Sequence, residues 1–189
     1  MKDIANFLFE TGMLKRTPRS GLQFLGSGKE SVAEHSFRVI MIAYTLARLN
    51  SQVDENRVLK MTLFHDILET RTGDLNYVNK KYLEVNEEKA ANELAEALPF
   101  GDELKDLLKE FKEKKTLESC IANDADQLEL ILMLKEYGDL GNKYTKDWIL
   151  FALKRLYTPQ ARELAESILS TDSAEWWFKD KSDWWVWGK

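Results

Sequence analysis

Two histidines occur in the 189 residues, His35 and His65, and both sit beside acidic residues. His65 lies in LFHDILET (63–70), where Asp66 follows directly and Glu69 comes within one helical turn. A third stretch, NDADQLE (123–129), sets Asp124 and Asp126 into an otherwise apolar run. Either histidine alone reads as a core residue satisfied by a backbone carbonyl. The aspartates shift that reading, because aspartate is a poor helix former and costly to bury without a partner. A divalent cation held by two imidazoles and two carboxylates would satisfy all four groups at once.

The elements that must carry these residues read as helices almost throughout. IANFLFETGML places Ile4, Phe7, Leu8 and Thr11 on one face. A basic, Gly- and Ser-rich loop, KRTPRSGLQFLGSGKE, follows. Ser31 and Glu34 form a capping box opening the long apolar helix that holds His35. Asp54 caps ENRVLKMTLFHDILE, which carries His65 and Asp66 and runs out near Thr70 to Gly73. A short helical piece around LNYVNKKYL precedes a helix starting at Asn86 and stopped by Pro99. Asp102 opens ELKDLLKEFKEKK, a charged, solvated helix, and Thr116 precedes the long helix of Asp124 and Asp126. Thr145 caps KDWILFALKRLY, and Thr158 with Pro159 starts the next helix. No stretch alternates as a strand would, and no repeat or linker divides the chain. The expected fold is one all-α domain over 1–178, followed by a Trp-rich tail over 179–189.

Composition excludes several functions. With 44% hydrophobic and 31% charged residues the chain is globular, and its net charge of −5 is wrong for binding nucleic-acid polymers. Cys120 is the single cysteine, which leaves no internal disulfide and fits a reducing compartment. MKDIANFLFETGMLKRTP lacks the apolar core of a signal peptide, and the longest apolar run, VIMIAY, is far too short to span a bilayer. A cytoplasmic protein without membrane contact is expected. The C-terminal EWWFKDKSDWWVWGK holds five of the six tryptophans. Base stacking or membrane contact is weaker here than rings packed across the domain surface or a subunit interface, so a homodimer is expected.

The motifs Glu34–His35, HDILE (65–69), Gly73–Asp74 and DADQLE (124–129) resemble the H…HD…D signature of HD-domain metallophosphohydrolases. With LKRTPR before the first histidine, SVAEHS around it, and WILFALKRLYTPQAREL (148–164), the chain resembles the HD-domain 5′-deoxynucleotidases most. That resemblance implies an HD-type helical bundle with metal ligands His35, His65, Asp66 and Asp126, with Asp124 as the runner-up to Asp126. It implies catalytic carboxylates at Glu69 and Asp74 and a phosphate-contacting arginine at Arg16, for which Arg19 and Arg38 compete. Two-metal members need further histidines that this chain lacks, so one divalent ion is expected: manganese, cobalt or another transition metal, with magnesium as a further candidate.

The chemistry implied is hydrolysis of deoxynucleoside 5′-monophosphates. The ion would activate water and hold a phosphoryl oxygen, Glu69 would move a proton, and an arginine fork would take the phosphate. Two alternatives stand beside it: a nucleoside triphosphate or guanosine tetraphosphate hydrolase on the same scaffold, or a metal-stabilised helical interaction protein. The latter would need neither Glu69 nor Asp74. The loop of Arg16 and Arg19 is the one cationic cradle visible in the sequence, which favours monophosphates.

Overall fold

Local side-chain capping marks the start of five of the helices. In the computed structural model, which describes residues 1–179, 182 and 184–188, the helices run in this order. Helix α1 (Lys2–Thr11) leads through a 3₁₀ turn at Gly12–Lys15 to α2 (Leu22–Leu25) and α3 (Val32–Arg48). Then come α4 (Glu55–Phe64), α5 (Glu69–Thr72), a 3₁₀ turn at Asn79–Lys81, α6 (Glu87–Glu96) and α7 (Gly101–Glu113). The remainder is α8 (Leu117–Asp139), α9 (Thr145–Leu153), α10 (Pro159–Ser170), α11 (Glu175–Phe178) and α12 (Trp184–Trp187). The Ser31–Glu34 capping box is complete, and the side chains of Asp54, Asn86, Thr116 and Thr158 each accept a bond from a first-turn N–H. Thr145 differs from expectation: it begins α9 rather than capping it, and its hydroxyl donates to the Asn142 carbonyl.

Helix α8 is the central strut. It packs on α3, α4, α7, α9 and α10. Its Ile121, Ala125, Leu128 and Ile131 join Val39, Ile42, Ala43 and Leu46 of α3, Val58 of α4, and Ala161 and Ala165 of α10 in the main core. A helix surrounded in this way is buried around most of its circumference. Its polar residues therefore lie among apolar neighbours and need partners, and Asn123, Asp124 and Glu129 are all buried. The apolar face expected on α1 is only partly realised, since Phe7 is buried while Leu8 faces solvent.

The expected helix through His65 to Glu69 is broken, with consequences for the site. Helix α4 stops at Phe64, and the chain tightens into successive i→i−3 bonds from Ile67, Glu69, Thr70 and Arg71. The His65 ring contributes to the break, because its Nδ1 donates to the Thr62 carbonyl that residue 66 would use in an α-helix. At three residues per turn, residues i and i+3 eclipse, so Asp66 and Glu69 come to the same side. Gly73 then turns the chain with φ 70° and ψ 162°, a conformation essentially restricted to glycine, and delivers Asp74.

The boundary expected at 178/179 falls inside an aromatic cluster. Trp185 packs against Trp177 and Phe178, with ring centroids 5.8 and 5.2 Å away, and against Trp184 at 5.3 Å. Trp176 and Trp187 remain largely exposed. Asp180, Lys181, Asp183 and Lys189 of the expected tail lie outside the described residues. Among the described residues, no helix is long and apolar enough to cross a membrane.

Candidate active site

His35 enters from the first turn of α3, His65 and Asp66 from the end of α4, and Asp126 from the middle of α8. Their side chains meet. His35 Nε2 lies 3.3 Å from His65 Nε2, 3.3 Å from Asp126 Oδ1 and 3.5 Å from Asp66 Oδ2, and His65 Nε2 lies 3.1 Å from Asp66 Oδ2.

The donor chemistry tests whether this cluster fits a cation. His35 Nδ1 is 2.6 Å from the buried carboxylate of Glu129, and His65 Nδ1 is 2.8 Å from a carbonyl. Both partners only accept, so each Nδ1 carries the proton and each Nε2 presents a lone pair. Two lone pairs facing each other across 3.3 Å repel unless a positive charge sits between them. Two nitrogens bound to one ion at about 2.0–2.1 Å are themselves about 2.8–3.4 Å apart, the upper end belonging to tetrahedral angles. Asp66 Oδ2 is buried and makes no hydrogen bond, the condition of an oxygen that wants a cation. His35, His65 and Asp126 each bring a ligand atom within 4.8 Å of the others. The residues fit the group.

Electrostatics in the cluster follow from burial opposed by neighbouring charge. Burial would raise Asp66 and Asp126, yet the imidazoles overcome it and hold both carboxyls well below the usual range. For His35, burial and the charge of Arg19 act to lower its affinity for a proton, but Asp126 and Glu129 outweigh them and raise it to about 10, so in the absence of an ion a second proton on Nε2 supplies the positive charge that the facing nitrogens require. Glu69 goes the other way. Burial first, then the charges of Asp66 and Asp74, push it up to about 9, and its Oε2 is buried with no hydrogen-bond partner.

Beside the cluster opens a cavity of about 870 Å³. Asp66, Glu69, Asp74, Asp126 and Arg19 line its polar end, and Leu22, Phe24, Met133, Trp148 and Phe151 form much of the apolar wall. Sequence and structure part over the arginines. Arg16 is exposed and does not line the cavity, whereas Arg19 reaches in, with Nη1 3.7 Å from Asp66 Oδ2. Arg38 is committed elsewhere: its guanidinium donates twice to Glu129 Oε1, at 2.9 and 2.7 Å, and once to Glu136. Asp74 lines the cavity and also accepts from the Ser20 N–H at 2.6 Å, anchoring the loop that carries Arg19. Lys80, Lys81 and Arg155 add cations to the wall, so the loop of Arg16 and Arg19 is not the one cationic cradle expected from the sequence.

Asp124, the alternative ligand, is occupied. Its carboxylate accepts from the N–H groups of Tyr157 and Thr158 and from the Thr158 hydroxyl, at 2.6, 2.8 and 2.6 Å. Glu129 was missed as a functional residue. It is fully buried, fixes the His35 ring and is neutralised by Arg38, and a clue lay in its place one turn beyond Asp126 in DADQLE.

The HD domain family matches residues 11–168. The 5′-deoxynucleotidase HDDC2 of Bos taurus is 32% identical over 148 residues, covering 75% of this chain and 71% of that protein. The Danio rerio counterpart is 28% identical, over 92% and 97% of the two chains. Among solved structures, a conserved hypothetical protein from Pyrococcus furiosus superposes with a TM-score of 0.75 at 32% identity, covering 87% of this chain and 98% of its own. A predicted metal-dependent phosphohydrolase from Magnetospirillum magnetotacticum gives a TM-score of 0.72 at 27% identity, over 89% and 92%. With the histidine pair, the HD dipeptide and the α8 aspartate converging inside the matched region, this chain belongs to the HD domain family.

Proposed function

We propose that the protein is a metal-dependent 5′-deoxynucleotidase that hydrolyses deoxynucleoside 5′-monophosphates to deoxynucleoside and phosphate. The observation that carries it is the pair of facing Nε2 lone pairs, flanked by two carboxylates, at the polar end of a cavity with an apolar wall. His35, His65, Asp66 and Asp126 would hold one divalent ion: manganese, cobalt or another transition metal, or magnesium. When bound, such an ion supplies charge for a phosphoryl oxygen and acidifies water.

The remaining steps belong to the chain. Glu69, whose proton affinity burial raises, would give a proton to the departing 5′-oxygen. Arg19 would take a phosphate oxygen through its planar fork. Asp74 would hold the Arg19 loop through Ser20 and face the same space as Glu69. The apolar wall would receive the nucleoside and exclude water. The named relatives support this substrate class. The same reading has the enzyme cytoplasmic and homodimeric, acting on free nucleotides; the net charge and single cysteine support the first and last of these.

Lys80 and Lys81 favour the second reading, a hydrolase of nucleoside triphosphates or guanosine tetraphosphate, because they add positive charge that a longer phosphate chain could use. The test is phosphate release from matched deoxy- and ribonucleoside 5′-monophosphates, 3′-monophosphates and triphosphates, with manganese, cobalt or magnesium. Release from 5′-deoxynucleotides that stops on chelation is expected. Efficient triphosphate cleavage with inert monophosphates would overturn the proposal in favour of the second reading.

A further inference from the structure

Asp126 presents its two oxygens to different partners. Oδ1 faces His35 Nε2, and Oδ2 accepts a hydrogen bond from Gln127 Nε2 at 2.8 Å. The other end of the same amide, Gln127 Oε1, accepts from Arg155 Nε at 2.5 Å. Arg155 in turn donates through Nη1 to the Tyr77 hydroxyl, and its guanidinium carbon lies 5.6 Å from the centre of the Tyr77 ring. These groups form one chain from the cavity mouth to the histidine cluster.

The order of donors and acceptors along it is forced. A guanidinium only donates and a carboxylate only accepts, so an amide between them satisfies both in one orientation. With Arg155 in place, the amide nitrogen must face Asp126. Without it, Gln127 Oε1 loses the donor that anchors the amide, and the amide nitrogen is free to move away from the carboxylate. Arg155 thus acts on Asp126 without touching it. No carboxylate is paired with Arg155 among the described residues' ion pairs, so the guanidinium is committed to Gln127 and Tyr77.

We propose that Gln127 and Arg155 are positioning residues for the metal site: Arg155 anchors the Gln127 amide, which holds Asp126 with Oδ1 turned toward the imidazoles. Tyr77 extends this control to the cavity wall, since it stands three residues beyond Asp74 on the same loop. The inference rests on Asp126 being a metal ligand, and its test separates the two claims.

Metal-stripped protein is titrated with Mn²⁺, with the free ion followed by electron paramagnetic resonance, for the parent, Gln127→Met, Arg155→Met, the double variant and Asp126→Ala. Thermal melts in chelator check that each variant folds, and Arg155→Lys serves as a second variant whose single ammonium cannot span both Gln127 and Tyr77. Each single methionine variant should weaken Mn²⁺ by about 10- to 100-fold, the range for lost partners of metal ligands. The double variant should lose no more than the worse single one, because the two act in series. The sign is diagnostic. Removing a nearby cation would by charge alone tighten a divalent ion, so weaker binding in Arg155→Met reports positioning. Affinity within about twofold of the parent, or tighter, in Arg155→Met with Asp126→Ala defective overturns the relay and leaves the ligand standing. Full affinity in Asp126→Ala overturns both.

Discussion

Asp124 and Asp126 stand two residues apart on α8 and serve different helices. Asp124 receives the N–H groups of Tyr157 and Thr158 at the start of α10, while Asp126 Oδ1 faces His35 on α3. A helix turns about 200° over two residues, so neighbouring aspartates on a buried helix look in nearly opposite directions. Substitutions should therefore separate them. Asp126→Ala and His65→Ala should lose the single bound ion by metal analysis. Asp124→Ala should keep it but unfold more easily, by about 2–4 kcal/mol, because the buried N–H and hydroxyl of Thr158 and the part-buried N–H of Tyr157 lose their acceptor. Full metal content in both Asp126→Ala and His65→Ala would refute the quartet.

Glu69→Gln should retain metal and lose turnover by about 10²- to 10⁴-fold, the cost of removing a general acid or base. The motive is its buried, unbonded Oε2 beside Asp66 and Asp74. Glutamine fills the same space, so a drop in kcat at unchanged metal content isolates the proton. Turnover at the parent level would assign Glu69 to packing alone.

The two arginines of the N-terminal loop make a paired test. Arg19→Ala should cut kcat/KM by about 10- to 100-fold, the value of a hydrogen bond to a charged group. Arg16→Ala should stay within about twofold, since Arg16 is exposed and off the cavity wall. The opposite ranking in steady-state kinetics would return the phosphate contact to Arg16.

Truncation after Phe178 removes Trp184 and Trp185, which pack with Trp177 and Phe178 into an exposed aromatic cluster. The expected result is a changed oligomeric state on sizing, or a lower melting temperature, with per-site activity largely intact. Loss of activity in a folded, metal-bearing truncation would place the tail at the substrate.

Helix starts were legible in the sequence because caps are local: Ser31, Asp54, Asn86, Thr116 and Thr158 each act on an N–H three residues on. The metal-binding types were legible too, since histidines and aspartates in apolar runs demand partners wherever the chain takes them. The direction of each side chain was not. Whether Asp124 or Asp126 meets the histidines depends on how α8 is rotated against α3 and α10, which the packing of the main core sets. The choice of Arg19 over Arg16 and the commitment of Arg38 to Glu129 depend on contacts across long sequence separations. The tightening after Phe64 that aligns Glu69 with Asp66 arises where the His65 ring takes the Thr62 carbonyl. Residue types and caps are properties of short segments, whereas these outcomes depend on which helices pack together, and that is decided only when the chain is folded.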